Sequence, residues 1–182
     1  SIGKKEQFGS PRKPKTRFCD HFCETYCKSA RVRHATLFRE DGGALVDDLF
    51  ARTRLLLGQN GLDRLAAARV AVFGVGGVGG YAVEALARSG VGALDLIDSD
   101  TVDATNLNRQ IIATMDAVGR PKTQVAAERV ASINPSCIVR PRQCFFLPET
   151  ADQFDFAAFD YVIDAVDTVS AKIALVEAAF AA

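Results

Sequence analysis

The stretch Arg69-Val-Ala-Val-Phe-Gly-Val-Gly-Gly-Val-Gly79 determines the predicted fold. Its first part, residues 69–75, is a continuous apolar run of strand length, which is typical of a strand buried on both faces of a parallel sheet. Four glycines follow in a G-x-G-x-x-G pattern that opens a predicted helix over residues 79–89: Gly74, Gly76, Gly77 and Gly79. Such glycines let the backbone approach a phosphate closely, and the helix N-terminus adds unpaired N–H groups. The stretch therefore predicts an adenine-nucleotide site. It leaves NAD, FAD and ATP open, with glycines needed only for packing as the alternative.

Strands and helices alternate along the rest of the chain. Three further strands and two further helices are predicted, at residues 93–97, 137–142 and 159–163 and at residues 122–133 and 169–182. Before the first strand, apolar residues at helical spacing over 48–65, interrupted by Gly58 and Gly61, predict two short helices. This order predicts an α/β fold with a Rossmann-type, doubly wound, mostly parallel sheet. Because such open sheets have about five or six strands, we expect this chain to be truncated at its C-terminus.

The charge distribution divides the chain into a basic tail, residues 1–44, and a compact domain, residues 45–182. The tail holds ten Lys or Arg and five Asp or Glu, whereas the domain holds twelve and seventeen, so the overall net charge is zero. We expect a disordered, solvated tail. The alternative is a weak, salt-sensitive attraction of the tail to phosphate groups.

Cysteine usage favours a reducing compartment. The chain has five cysteines, an odd number, and they are unevenly placed. Cys19, Cys23 and Cys27 lack the C-x-x-C spacing of most zinc sites, so we expect free thiols, with a metal site as the alternative. No run of roughly eighteen apolar residues and no signal peptide are visible. The sequence predicts a cytoplasmic protein.

Polar residues that follow the second predicted strand form a candidate nucleotide site. Asp98 ends that strand, where a carboxylate can accept hydrogen bonds from ribose hydroxyls. The block 100–110 supplies amide and cationic side chains: Asn106, Asn108, Arg109 and Gln110. Lys122 adds a second cation at the start of the next predicted helix. A triphosphate needs such cations and an NAD domain does not, so the block favours ATP. The alternative for either cation is a surface salt bridge.

Two carboxylates, Asp164 and Asp167, follow the fourth predicted strand. The carboxyl ends of parallel strands face the binding crevice. Mg²⁺ commonly binds one or two carboxylates together with substrate phosphates. We predict that Asp167 holds Mg²⁺ and that Asp164 makes local hydrogen bonds.

In order and spacing, six short motifs resemble the ThiF/MoeB adenylating family, which is part of the ubiquitin-activating superfamily. They are Gly-Val-Gly-Gly-Val-Gly (74–79), Leu-Ile-Asp-Ser-Asp (96–100), Asn-Leu-Asn-Arg-Gln (106–110), Gly-Arg-Pro-Lys (119–122), Ile-Asn-Pro (133–135) and Asp-Ala-Val-Asp (164–167). The resemblance covers residues 45–182 and identifies them as an ATP-binding adenylation domain. Within the family, segments 127–137 and 161–172 are most similar to the tRNA threonylcarbamoyladenosine dehydratases.

This resemblance implies a role for each candidate residue. Asp98 would bind ribose, Arg109 and Lys122 the triphosphate, and Asp167 the Mg²⁺. Arg54, in Arg-Thr-Arg-Leu-Leu-Leu-Gly (52–58), matches an arginine that reaches into the ATP site of the partner subunit. The family forms homodimers, so a homodimer is expected here.

The expected reaction is ATP-dependent adenylation of a carboxylate. The dehydratase resemblance implies N6-threonylcarbamoyladenosine at position 37 of tRNA as the substrate, followed by cyclisation with loss of water. One alternative substrate is the C-terminus of a ubiquitin-like sulfur-carrier protein in molybdopterin or thiamine synthesis. Two alternatives belong to other classes: an NAD(P)-binding oxidoreductase fragment, and a remnant that binds nucleotide without catalysis.

Overall fold

A computed structural model of the protein describes residues 49–182. The predicted tail, with Cys19, Cys23 and Cys27, lies outside these residues, so the expectations for it stay predictions. Within residues 49–182, no helix is both long enough and apolar enough to cross a membrane.

The described residues contain a parallel four-stranded sheet. Its strands are β1 (Arg69–Phe73), β2 (Ala93–Ile97), β3 (Ile138–Arg142) and β4 (Tyr161–Asp164), in the spatial order β3-β2-β1-β4. The chain moves outward from β1 to β3 and then returns to the other side of β1. This reversal places a topological switch point between β1 and β4, where open α/β sheets bind ligands. The predicted parallel α/β sheet is confirmed.

Strand ends differ from the prediction by one or two residues. β1 stops at Phe73 rather than at residue 75 because Gly74 adopts a φ of 89° and turns out of the sheet. β3 begins after Cys137, whose N–H donates to the Asn134 carbonyl. β4 begins at Tyr161 because the N–H of Phe159 donates to Phe156 at the end of a 3-10 turn.

Four helices connect and flank the strands: α1 (Ala51–Ala67), α2 (Gly79–Ser89), α3 (Lys122–Ile133) and α4 (Val169–Ala181). The predicted break near the start of the domain lies at Gly58, which has φ 68° and ψ 176° inside α1. The second predicted break was wrong, because Gly61 remains helical. Two short 3-10 helices, Ala104–Asn106 and Met115–Ala117, lie in the loop between β2 and α3.

The apolar run of β1 packs on both faces of the sheet. Val70 and Val72 face one core, which α2 and α3 cover with residues such as Val83 and Val130. Alternate residues of the same strand, among them Phe73, face a second core on the opposite side. The sequence prediction of a strand buried on both faces is therefore confirmed.

An aromatic cluster fills the second core and fixes the segment between β3 and β4 against the sheet. The ring centroid of Phe73 lies 5.0 Å from that of Phe146, 5.3 Å from that of Phe154 and 5.9 Å from that of Phe156. Such aromatic pairs contribute beyond their buried area. From α4, Leu175 packs on this cluster, so the carboxyl end of β1 is held from both sides.

We expect Gly79→Ala to destabilise the domain. A Cβ at residue 79 would lie 1.8 Å from the Gly74 carbonyl oxygen and 3.2 Å from the Ala165 Cβ. Overpacking of this kind costs about 1–3 kcal/mol. Gly76→Ala is the matched control, because the nearest atom to its added Cβ is 3.9 Å away. Urea denaturation should show a lower free energy of unfolding for the first variant and little change for the second. Equal losses would contradict the close packing at Gly79.

Candidate nucleotide site

A cleft of about 690 Å³ opens at the carboxyl ends of the strands, beside the switch point. Most of the predicted site residues line it: Gly74, Gly76, Gly77, Asp98, Asn106, Arg109, Gln110, Lys122 and Asp167. These residues come from five separate segments of the chain. The topology therefore brings the sequence motifs together at one place.

The glycine loop after β1 is closely packed at its two ends and open in its middle. A Cβ on Gly74 would lie 2.5 Å from the Ala165 carbonyl oxygen. By contrast, the nearest atoms to a Cβ on Gly76 or Gly77 would be 3.9 and 4.0 Å away, on side chains across the cleft. The middle of the loop therefore presents bare backbone to a ligand at the N-terminus of α2, as a phosphate site requires. Gly79 does not line the cleft and instead packs beneath the loop.

Asp98 ties the end of β2 to the glycine loop. One of its carboxylate oxygens accepts a hydrogen bond from the Val75 N–H at 2.7 Å, and the other accepts one from the Asp100 N–H at 2.8 Å. A carboxylate has about four lone-pair positions, so further acceptance from a ribose hydroxyl is possible. The sequence pattern did not predict this role in holding the loop. The bond to Val75 joins residues 23 positions apart, so local sequence carries no signal for it.

The segment 103–110 is folded by its own side chains. The Asn106 carbonyl oxygen accepts from the Asp103 N–H at 3.1 Å, and the Asp103 carboxylate accepts from the Thr105 N–H at 2.8 Å. Gln110 is buried, and its amide nitrogen lies toward the glycine loop near Gly76. Asn106 therefore has a structural hydrogen bond in addition to its place in the cleft wall.

Arg109 is exposed on this wall. Its Nη1 donates to the Thr105 carbonyl at 3.0 Å and to the Asn108 Oδ1 at 2.9 Å. Asn108 therefore holds the guanidinium in place rather than offering a donor of its own to the cleft. Because a guanidinium has five N–H donors, Arg109 keeps donors for a ligand.

Lys122 is buried at the start of α3. Its side chain is 7% exposed, and its Nζ donates to Asp100 Oδ2 at 2.7 Å. The hydrogen bond from Lys122 lowers the pKa of the Asp100 carboxyl. A surface salt bridge was the alternative role for this lysine. The ion pair is present, but the Lys122 ammonium is buried in the wall of the cleft and is not on the surface.

The two carboxylates after β4 differ in their surroundings. Asp164 pairs with Lys172 of α4 at 3.1 Å and accepts a hydrogen bond from the Val166 N–H at 3.1 Å. Asp167 lines the cleft and accepts from the Thr168 hydroxyl at 3.4 Å. Among residues 49–182, no group of three or more His, Cys, Asp or Glu side chains could hold a metal ion.

Sequence reasoning missed one wall of the cleft, which Cys144, Phe145 and Phe146 form after β3. Phe146 belongs to the aromatic core, whereas the ring of Phe145 is 67% exposed. Burial raises the pKa of the Cys144 thiol, which lowers its thiolate fraction. The local sequence carries no signal that separates these residues from ordinary core residues.

Arg54 does not reach this cleft. It lines a separate cavity of about 330 Å³ together with Asp63 of α1 and Asn134 after α3. Its predicted action in the site of a partner subunit stays a prediction.

The cleft combines a bare glycine loop, two cations and three carboxylates. The cations are Arg109 and Lys122, and the carboxylates are Asp98, Asp100 and Asp167. Arginine and lysine together can neutralise the negative charge that develops on phosphate oxygens. This set fits a nucleotide whose phosphates take part in the reaction. It fits less well a nucleotide whose phosphates only anchor it in the cleft.

Comparison with known proteins shows close relatives. The model of the ThiF family matches residues 50–182. The chain is 50% identical to the tRNA threonylcarbamoyladenosine dehydratase of Bacillus subtilis over 128 residues, which cover 70% of this chain and 50% of the relative. It is also 37% identical to the probable adenylyltransferase/sulfurtransferase MoeZ of Mycobacterium tuberculosis, over 68% of this chain and 31% of that protein.

A solved structure supports the same relationship. The crystal structure of the Escherichia coli tRNA N6-threonylcarbamoyladenosine dehydratase TcdA in complex with ATP is similar to this chain, with a TM-score of 0.69 and 47% identity. The match covers 70% of this chain and 53% of the TcdA chain. The chain thus spans about half the length of the curated dehydratases it matches.

Proposed function

Since this chain belongs to the ThiF family, we propose that its cleft binds ATP and activates a carboxylate by adenylation. The observation that carries the proposal is the position of Arg109 and the buried Lys122 on the walls of one cleft with the bare glycine loop. Two cations match a triphosphate whose charge must be neutralised as it reacts. The structure of TcdA with ATP supports the choice of nucleotide.

In the proposed reaction, an oxygen of the substrate carboxylate attacks the α-phosphorus of ATP. The bond from that phosphorus to the oxygen bridging to the β-phosphate breaks, and pyrophosphate leaves. Arg109 and Lys122 would stabilise the charge that develops on the phosphate oxygens, and the glycine loop would hold the phosphates in place. Asp98 would accept hydrogen bonds from the ribose hydroxyls while it keeps the loop closed through Val75.

Asp167 suits a magnesium ion, because its carboxylate is exposed on the cleft wall. Its neighbour Asp164 is already paired with Lys172. A carboxylate oxygen is a ligand that Mg²⁺ accepts, with phosphate oxygens and water completing the coordination. When bound, the ion would neutralise part of the triphosphate charge.

The proposed substrate is N6-threonylcarbamoyladenosine 37 of tRNA. The support is the identity of 50% and 47% to two tRNA threonylcarbamoyladenosine dehydratases. After adenylation, the substrate's own carbamoyl group would attack the activated carboxyl carbon and displace AMP, which closes a ring with net loss of water. The resemblance to MoeZ keeps adenylation of a ubiquitin-like sulfur carrier as the second candidate.

We further propose a cytoplasmic homodimer. In such a dimer, Arg54 would enter the cleft of the partner subunit, which agrees with its absence from the cleft of its own chain.

ATP–Mg²⁺ should bind to the chain in preference to NAD, and Asp98→Ala should weaken binding at least about tenfold. The variant loses both the acceptor for the ribose and the hydrogen bond that holds the loop, each of which contributes about 1 kcal/mol or more. Calorimetric titration with ATP, with NAD as competitor, measures both effects. Asp152→Asn is the control, because Asp152 is an exposed carboxylate outside the cleft. A preference for NAD would overturn the proposal.

Asp167→Asn should abolish the dependence of ATP affinity on Mg²⁺, whereas Asp164→Asn should keep it. The first substitution removes the proposed metal ligand, and the second removes only the pair with Lys172. ATP titrations with Mg²⁺ and with EDTA, on both variants, measure the difference. If both variants keep the full Mg²⁺ dependence, Asp167 does not hold the ion.

Pyrophosphate exchange should depend on tRNA that carries N6-threonylcarbamoyladenosine. We expect incorporation of labelled pyrophosphate into ATP with this tRNA, and only background incorporation with unmodified tRNA. A sulfur-carrier protein ending in Gly-Gly is the competing substrate. Exchange triggered by that protein alone would assign the chain to the second candidate function.

A further inference from the structure

Lys122 is the least exposed of the charged side chains that line the cleft. It is hydrogen-bonded to Asp100 through both its side-chain ammonium and its backbone N–H. Its Nζ donates to Asp100 Oδ2 at 2.7 Å, and its backbone N–H donates to the Asp100 carbonyl at 3.0 Å. A bridge between Thr101 and Pro121 joins the same two segments. The position of the ammonium is therefore set by Asp100 as well as by the packing of the lysine stem.

Asp100 is itself held in place. Its N–H donates to Asp98, and its second carboxylate oxygen accepts from the Ser99 hydroxyl at 3.2 Å. Because Asp98 also accepts from the Val75 N–H, a continuous chain of hydrogen bonds runs from the glycine loop to the Lys122 ammonium. The loop and the buried cation are thus fixed relative to each other.

An anion at this place works against a polyanionic ligand. Asp100 adds negative charge to a cleft that already holds Asp98 and Asp167. Considered as a charge alone, Asp100 weakens the binding of a triphosphate. A benefit must offset this repulsion, and the geometry offers one. An ammonium has three donors, so a lysine held by one donor to Asp100 keeps two for a ligand.

We propose that Asp100 is a positioning residue, which fixes the Lys122 ammonium on the cleft wall where it meets the triphosphate. This inference rests on the proposed function of the cleft. An unfixed lysine loses side-chain entropy when it is ordered by a ligand. Asp100 orders the lysine in the empty protein, so ATP binding does not carry that cost.

The proposal predicts that one substitution weakens ATP binding in one background and does not weaken it in another. In the presence of Lys122, Asp100→Asn should weaken ATP–Mg²⁺ binding by about fivefold or more, as contacting residues typically couple. In the Lys122→Ala background, the same substitution should leave ATP affinity unchanged or raise it, because only the repulsion is removed. If Asp100 acted through its charge alone, Asp100→Asn would raise the affinity for ATP in both backgrounds.

Calorimetry on the wild type, the two single variants and the double variant provides the test. Asp100→Glu is included as the conservative variant and should keep most of the wild-type affinity. Equal weakening by Asp100→Asn in both backgrounds would overturn the proposal while leaving the ATP site intact. Failure of the wild type to bind ATP would overturn the proposed function, and this inference with it.

A second measurement needs no nucleotide. In protein labelled with ¹⁵N at the lysine Nζ, the Lys122 ammonium should give a slowly exchanging signal that Lys122→Ala removes and thereby assigns. Asp100→Asn should broaden this signal beyond detection, whereas the control Asp152→Asn should leave it unchanged. If the signal persists in Asp100→Asn, then Asp100 does not hold the ammonium.

Discussion

The turn that follows β1 (Arg69–Phe73) is the constraint on which the nucleotide cleft depends. Gly74 leaves the strand with a φ of 89° and lies against the backbone of Ala165, beyond the end of β4. Gly79 then packs on the Gly74 carbonyl oxygen. The two residues approach so closely that a Cβ on residue 79 would clash with that oxygen. This close approach brings the start of α2 to the switch point of the sheet. It leaves the middle of the loop free for a ligand.

The fold was predictable where local patterns decide the structure. A continuous apolar run, a glycine turn and helical spacing were enough to predict the parallel sheet, because each signal is contained within about ten residues. Strand ends were less accurate, since they depend on the exact residue at which a local turn closes, such as the turn in which the Cys137 N–H donates to the Asn134 carbonyl. Gly61 shows the same limit. Glycine lowers helix propensity by about 1 kcal/mol, yet α1 continues through it, and only Gly58 breaks the helical geometry.

The site was predictable in its membership but not in its connections. Residue types and spacing indicated Asp98, Arg109, Lys122 and Asp167, and the structure brings all four to one cleft. The hydrogen bonds that Asp98 accepts from Val75 and that Lys122 donates to Asp100 could not be read from sequence, because they join residues 23 and 22 positions apart. The wall at Phe145 was missed for a similar reason. Nothing in its local sequence distinguishes an exposed aromatic residue in a cleft from one in a core.

The charge arrangement of the cleft follows from these connections. A buried ammonium without a partner is costly. Lys122 has a partner in Asp100, whose carboxylate remains 57% exposed. The pair is therefore asymmetric. The ammonium is buried and fixed, whereas the carboxylate is exposed and its field is weakened by water. In the proposed nucleotide complex, the triphosphate would therefore meet an ammonium that is fixed in position and a carboxylate whose charge water screens.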